Sequence, residues 1–175
     1  MHSDIISGSA NVALSADYQP LRVLDVGCGT GLLLRVLAEQ LPDAEEFCGI
    51  DPAAGMLEVA TSTTKDSRVR FASGMAEDIP FPDHSFDLVI STTSFDHWMD
   101  QAAGISECHR VLNPNGRFVL TDLFSIGLVP TRLLGHSDRV RTRRGVQKLL
   151  RAAGFVTIDW RHRYSVVIGT VVASK

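Results

Sequence analysis

Val23-Leu24-Asp25-Val26-Gly27-Cys28-Gly29-Thr30-Gly31 is the stretch that decides how this chain folds. The apolar run from Leu21 to Val26 reads as a buried strand. It breaks into a loop with glycine at every second position, and Leu32-Leu33-Leu34 then opens a helix. Glycine suits a loop that turns sharply and lets a ligand meet backbone with no Cβ between them. The free amides of a helix start can take a polar or anionic group. A second strand, Glu46 to Ile50, ends in Asp51. A carboxylate at that place can accept hydrogen bonds from the two hydroxyls of a ribose.

The glycine spacing separates two kinds of ligand. The dinucleotide fingerprint is G-x-G-x-x-G, whose third glycine lets the helix pack close beneath a pyrophosphate. In Gly27-x-Gly29-x-Gly31 the third glycine comes one position early, and Leu32 stands where the fingerprint needs glycine. The loop is shaped for a nucleoside without a diphosphate. A nicotinamide enzyme and an ordinary strand-to-helix turn with incidental glycines are the alternatives.

The rest of the chain continues the strand–helix alternation that marks a parallel sheet covered on both faces. At 175 residues it is long enough for one domain with a proper core. The first twenty residues, up to Pro20, are small, polar and weakly periodic and read as a loose arm with at most a short helix, so residues 1–20 form an N-terminal arm and 21–175 one domain. Helix Thr30 to Leu41 has Leu33, Leu34, Leu37 and Leu41 on one face and stops at Pro42; helix Ala53 to Thr63 groups Met56, Leu57 and Ala60, with Met56 read as core. A short strand at Val69 to Ala72, an irregular stretch Gly74 to Ser85 and strand Phe86 to Ser91 follow. Helix Asp100 to Leu112, carrying His109 on its outer side, closes in the turn Asn113-Pro114-Asn115-Gly116, where Asn and Gly tolerate positive φ. Strand Arg117 to Asp122 leads to an unperiodic region, Leu123 to Asp138. Helix Thr142 to Ala153 ends at Gly154, and strands Phe155 to Arg163 and Ser165 to Ala173 are so closely joined that they must run antiparallel.

Composition narrows the function classes. A hydrophobic share of 45% with 21% charged residues is ordinary for a globular domain, and a net charge of -3 argues against general nucleic-acid binding. Arginines and lysines nevertheless crowd the last third, from Arg132 to Arg163, as a solvated face or a landing site for an acidic substrate or carrier. Cys28, Cys48 and Cys108 have no metal or framework spacing, and no metal site is expected. An odd number of cysteines without a signal peptide fits a reducing cytoplasm, and no apolar run reaches the ~20 residues that span a bilayer.

Asp25-x-Gly27-x-Gly29-x-Gly31, with Asp51 closing the second strand, resembles the first two motifs of the class I S-adenosylmethionine-dependent methyltransferases. Gly74-Met75-Ala76-Glu77-Asp78-Ile79-Pro80-Phe81 is similar to the Gly-Asp-Ala-Glu-x-Leu-Pro-Phe segment of their small-molecule "type 11" branch, which borders the adenine. Phe86 to Ser91 and Arg110-Val111-Leu112-Asn113-Pro114-Asn115-Gly116 resemble the fourth-strand motif and the Arg-Val-Leu-Lys-Pro-Gly-Gly turn of that branch. The resemblance covers Leu21 to Lys175. It implies an α/β fold with a Rossmann-like, doubly wound seven-stranded sheet, mostly parallel with an antiparallel last strand beside the fifth. It implies S-adenosyl-L-methionine as cofactor, S-adenosyl-L-homocysteine as product, and a small-molecule acceptor. Cofactor contacts fall on Asp25, Gly27, Cys28, Gly29, Gly31, Asp51, Pro52, Met75, Ala76 and Ser91.

The chain departs from the branch in three places. Met75 replaces an Asp that takes a hydrogen bond from the adenine amino group, leaving apolar contact and the backbone near Ala76 to hold the ring. Asn115 replaces a glycine, which Asn can do in left-handed geometry. The arm before the first strand and the segment after the fifth are short, although the family builds its substrate lid there. The pocket is then open or completed by a partner subunit, and a catalytically silent cofactor-binding or partner subunit of the same fold is the alternative function.

Methyl transfer from a sulfonium is an in-line displacement from an activated donor, so alignment is the main requirement and a base is needed only for an acceptor that must lose a proton. Ser91-Thr92-Thr93-Ser94-Phe95-Asp96-His97-Trp98 leaves the fourth strand at the end where open α/β sheets bind ligands, which makes His97 and Asp96 the acid–base candidates. Asp83 and His84 precede that strand and read as turn residues. Phe124, Ile126, Leu128, Val129, Leu133 and Leu134 follow no clean period, so they line an apolar acceptor pocket, join two copies as a homodimer, or pack in the core.

Overall fold

The elements follow one another as β1 (Arg22–Val26), α1 (Leu32–Gln40), β2 (Glu46–Asp51), α2 (Ala54–Thr63), β3 (Val69–Ser73) and β4 (Phe86–Thr92). A 3-10 turn at Phe95–His97 comes next, then α3 (Gln101–Val111), β5 (Leu112–Leu123), α4 (Arg143–Ala153), β6 (Thr157–Arg163) and β7 (Ile168–Ser174). The computed structural model describes residues 8–12, 14, 18–124, 142–163 and 168–175.

The strands form a single seven-stranded sheet in the order β3-β2-β1-β4-β5-β7-β6. β1 pairs in parallel with β2 and with β4, β2 with β3, and β4 with β5. β7 runs antiparallel to both β5 and β6. From β1 the chain winds outward through β2 to β3, then crosses back to lay β4 on the other side of β1. That reversal splays the loops beyond the carboxyl ends of β1 and β4 apart and opens a crevice between them.

Both faces of the sheet are covered, which is why its central strands read as nearly unbroken apolar runs. Leu24, Val26, Val89, Phe118 and Leu120 join one buried cluster with α3 and α4; Val23, Leu88, Ile90 and Val119 join the other with α1. α1 buries Leu33, Leu34, Leu37 and Ala38. α4 buries Val146 and Leu150, starts on a Thr142 side chain that accepts from Gly145 N, and stops at Gly154 with φ 106. α2 buries only Ala60, so it lies lightly on the sheet's edge.

Several expectations change at this level. The Asn113–Gly116 turn is an irregularity inside β5: Phe86 pairs with Leu112 but Leu88 pairs with Arg117, and Asn115 takes φ 68 within the bulge. The amino-terminal arm carries the short helix allowed for it, and that helix is docked on the domain. Residues 8–12 are helical, Ser9 and Ala10 are buried, and the Ser9 hydroxyl donates to the Thr121 hydroxyl at 2.9 Å. Farther along, the Tyr18 ring lies 3.9 Å beneath the Arg117 guanidinium and its hydroxyl donates to the Asp87 carbonyl. His109 is not a plain surface residue, since its ring meets Phe155 edge-on at 5.0 Å beneath Gly154. Phe124 is core: it is 3% exposed and packs edge-on against Trp160 at 5.2 Å. Ile126, Leu128, Val129, Leu133 and Leu134, with Arg132, Arg139 and Arg141, lie outside the described residues. Among the described residues no helix is long and apolar enough to cross a membrane, and the three cysteines are buried free thiols.

Candidate active site

A cavity of about 550 Å³ opens at the carboxyl ends of β1, β2 and β4. Its floor is the glycine loop. Gly27 N and Cys28 N both donate to the Ile50 carbonyl, at 2.8 and 3.0 Å, which pins the loop to the end of β2. The three loop glycines answer to different needs. A Cβ on Gly27 would stand 2.4 Å from the Cβ of Ser94, and one on Gly31 would stand 2.5 Å from Cζ of Phe71. Those two positions let protein pack against protein. A Cβ on Gly29 meets no atom within 4 Å, although Gly29 borders the cleft and has φ 53. The space left there is not used by the protein, as a ligand cradle requires.

Asp51 closes the loop from the other side. Its Oδ2 accepts from Gly29 N and its Oδ1 from Ala53 N, each at 2.9 Å, so one carboxylate ties the glycine loop to the start of α2 while facing the cleft. Beside it Asp25 is 2% exposed, and its pKa is pushed up to about 8, first by burial and then by the charge of Asp51. Burial, with the same two carboxylates, also raises the Cys28 thiol far above its ordinary range, so this cleft cysteine stays protonated and unreactive.

The buried Asp25 gives a pH dependence with a definite sign. Its folded pKa lies above the ordinary aspartate value of 3.8, so the folded state holds the extra proton between roughly 4 and 8. The stability this group contributes is complete below about pH 4 and is lost as the pH rises through about 8. The melting temperature of the free protein is expected to fall between pH 5 and 8, and Asp25→Asn is expected to flatten that slope. An unchanged slope in the variant would place the titration elsewhere.

Asp25, Gly27, Cys28, Gly29, Asp51 and Pro52 border the cleft, as do Met75, Ala76 and His97. Three of the expected residues do not. Gly31 is turned against Phe71 and Ala60 and serves the packing of the loop on the sheet. Ser91 is fully buried, its hydroxyl 2.7 Å from that of Ser94. Asp96 sits in the 3-10 turn off the lining, next to the buried Asp122, whose carboxylate accepts from Phe95 N at 2.9 Å and holds the turn. Asp83 pairs with Arg110 at 2.9 Å, and the His84 ring nitrogen lies 2.9 Å from the Leu112 carbonyl, so both belong to the turn before β4.

Beside Met75, which the motifs single out, the cleft takes in residues that they do not. Met56 is 47% exposed and lines it, because α2 buries so little of itself. Met75 and Met99 are 49% and 83% exposed at the same opening. Thr92, Thr93, Ser94 and Trp98 form the wall after β4. Their position at a strand's carboxyl end was readable; their mutual contacts were not.

The sequence from residue 24 to 120 matches the family model described as a methyltransferase domain. The chain is similar to the uncharacterized methyltransferase YcgJ of Bacillus subtilis, 37% identical over 124 residues, which cover 69% of this chain and 48% of that protein. The crystal structure of YcgJ superposes with a TM-score of 0.79 at 27% identity, over 92% of this chain and 71% of that one. A demethylmenaquinone methyltransferase of Thermotoga maritima is 37% identical over 64% of this chain and 48% of its own length. A malonyl-[acyl-carrier protein] O-methyltransferase of Methylococcus capsulatus is 35% identical over 79% and 53%. The chain thus spans about half the length of these curated relatives. With the sheet order, the glycine loop and the strand-end aspartate in place, the chain belongs to the methyltransferase-domain family, in its class I S-adenosylmethionine-dependent branch.

Proposed function

We propose that this protein transfers a methyl group from S-adenosyl-L-methionine to a small-molecule acceptor. The observation that carries the reading is the open space at Gly29 beside the Asp51 carboxylate: a backbone cradle and a ribose-binding group on adjacent strand ends. Asp51 would take the ribose hydroxyls, and Gly27 to Gly29 would lie under the nucleoside. Met56, Met75 and Ala76 would flank the adenine by apolar contact. Asp25 would become ionised opposite the positive charge of the bound cofactor. When bound, the cofactor supplies an activated methyl group on a sulfonium.

The chain's own work is then alignment and exclusion of water. In-line displacement depends on holding donor and acceptor in near-attack geometry, worth up to ~7–11 kcal/mol in well-oriented cases. Trp98, Thr93 and Ser94 would wall the acceptor side. His97 borders the cleft and would take the proton from an acceptor that has to lose one; for an acceptor that is already nucleophilic it is a wall residue. The names of the relatives favour small acceptors, a demethylmenaquinone in one and a malonyl group on an acyl-carrier protein in another. Association with a second copy through Phe124 forms no part of this reading, because that ring is core.

Calorimetric titration with S-adenosylhomocysteine and with NAD tests the cofactor, followed by methyl transfer to phenols, amines and quinone precursors. S-adenosylhomocysteine is expected to bind with a Kd on the order of micromolar, about −8 kcal/mol, and NAD at least roughly a hundredfold more weakly. NAD binding as tight as that of S-adenosylhomocysteine would overturn the reading.

A further inference from the structure

We propose that Ser94 is a positioning residue that sets the distance between the cofactor loop and the acceptor-side wall, acting through Gly27 on one side and Trp98 on the other. This inference rests on the reading of the cleft as the cofactor site. Ser94 stands where three parts of the molecule meet. Its hydroxyl donates to the Val26 carbonyl, the last of β1 before the glycine loop, at 2.9 Å. It faces the Ser91 hydroxyl of β4 at 2.7 Å and accepts from the Trp98 indole N–H at 3.3 Å. A hydroxyl has one donor and two acceptor sites, and with Ser91 donating, all three are engaged inside the protein. Ser94 therefore has nothing left with which to bind or deprotonate an acceptor, although it borders the cleft.

The close approach is built in on both sides. Gly27 has φ 77, and a Cβ there would overlap the Ser94 Cβ at 2.4 Å, so the two loops come nearer than a residue with a Cβ at position 27 would allow. The chain reaches this place through Thr93, a β-branched residue at φ 57, a conformation such side chains rarely take. Backbone strain of this kind persists only where the surroundings hold it. Here Thr93 N is held by the Thr121 carbonyl at 2.8 Å, and His97 N by the Ser94 carbonyl at 2.9 Å. Trp98 is seated from its far side as well, against Phe95 at 5.1 Å between ring centroids and over Gly104, where a Cβ would stand 2.5 Å from its ring. Among the described residues the Ser94 hydroxyl ties this wall by a hydrogen bond to the last carbonyl of β1. A shift of the glycine loop on cofactor binding is thereby passed to Trp98 and to its neighbour His97.

Trp98 and Trp160 are the two tryptophans of the chain, so a Trp160→Phe parent reports on Trp98 alone. In that parent, saturation with S-adenosylhomocysteine is expected to change Trp98 emission. With Ser94→Ala added, the affinity measured by calorimetry should stay within about threefold, while most of the emission change is lost and free Trp98 becomes easier to quench with acrylamide. Ser94→Cys keeps the bulk with a weak donor and should shift in the same direction, which guards against a poorly folded alanine variant. An emission response retained in both variants, no response in the parent, or a loss of affinity as large as that of Gly29→Val would each overturn the proposal. Absence of binding heat in the wild type would overturn the cofactor reading instead; unchanged acrylamide quenching of the free Ser94→Ala protein would then overturn the tie to Trp98, and raised quenching would uphold it.

Discussion

Gly29→Val is expected to abolish binding of S-adenosylhomocysteine, a loss of at least about a thousandfold, or ~4 kcal/mol, while the protein still folds. The asymmetry among the loop glycines is the reason. At Gly29 a Cβ meets no protein atom within 4 Å, so the protein leaves room there and the added side chain takes up the ligand's space. The fold pays only for a β-branched residue held at φ 53, a cost of roughly 1–2 kcal/mol. Gly27→Ala and Gly31→Ala should act in the opposite manner, lowering the melting temperature first, because their Cβ atoms would run into Ser94 and Phe71. Calorimetry and thermal melting on the three variants separate the two behaviours. A folded Gly29→Val protein that still binds S-adenosylhomocysteine would move the cofactor away from this loop.

Asp51→Ala should weaken cofactor binding by on the order of a hundredfold, since a charge-assisted hydrogen bond contributes about 1.5–3 kcal/mol. Taken as a bare strand-end carboxylate, Asp51 could be removed with little effect on stability. The structure corrects that expectation, because both of its oxygens already hold backbone amides, Gly29 N and Ala53 N. Losing them is partly offset, as the charge that adds to burial in raising the Asp25 pKa goes with the carboxylate. A net loss of about 1–2 kcal/mol, roughly 3–8 °C in melting temperature, is expected. Asp51→Asn should fall between, keeping a carbonyl oxygen for one amide and losing the charge. Unchanged melting would show that the loop stands without this tie, and unchanged affinity would show that the ribose is held elsewhere.

Much of the architecture could be read before any coordinates. The apolar run before Gly27 and the leucines of α1 give periods that need only a few neighbouring residues to be recognised. The close spacing of the last two strands forces an antiparallel pair, and β6 and β7 form one. The same holds for the glycine-loop half of the cleft, where glycine loop and strand-end carboxylate follow each other within one strand–helix–strand unit. Asp25, Gly27, Gly29 and Asp51 all border the cavity.

The wall after β4 was not legible in the same way. Ser91 and Ser94 look alike in the sequence, yet one is buried in the sheet and the other closes the gap to β1. Gly31 belongs to the motif but faces Phe71, Met56 reads as core but lies at the opening, and Phe124, which reads equally as pocket wall, interface or core, packs on Trp160. By itself the sequence determined the order of strands and helices, the glycine loop and the carboxylate that answers it, because backbone preference and side-chain period are local properties. Tertiary structure alone decided which side chains meet across the cleft, because a strand-end side chain faces whichever strand lies beside it, and β4 lies beside β1 only after the chain has wound out to β3 and back.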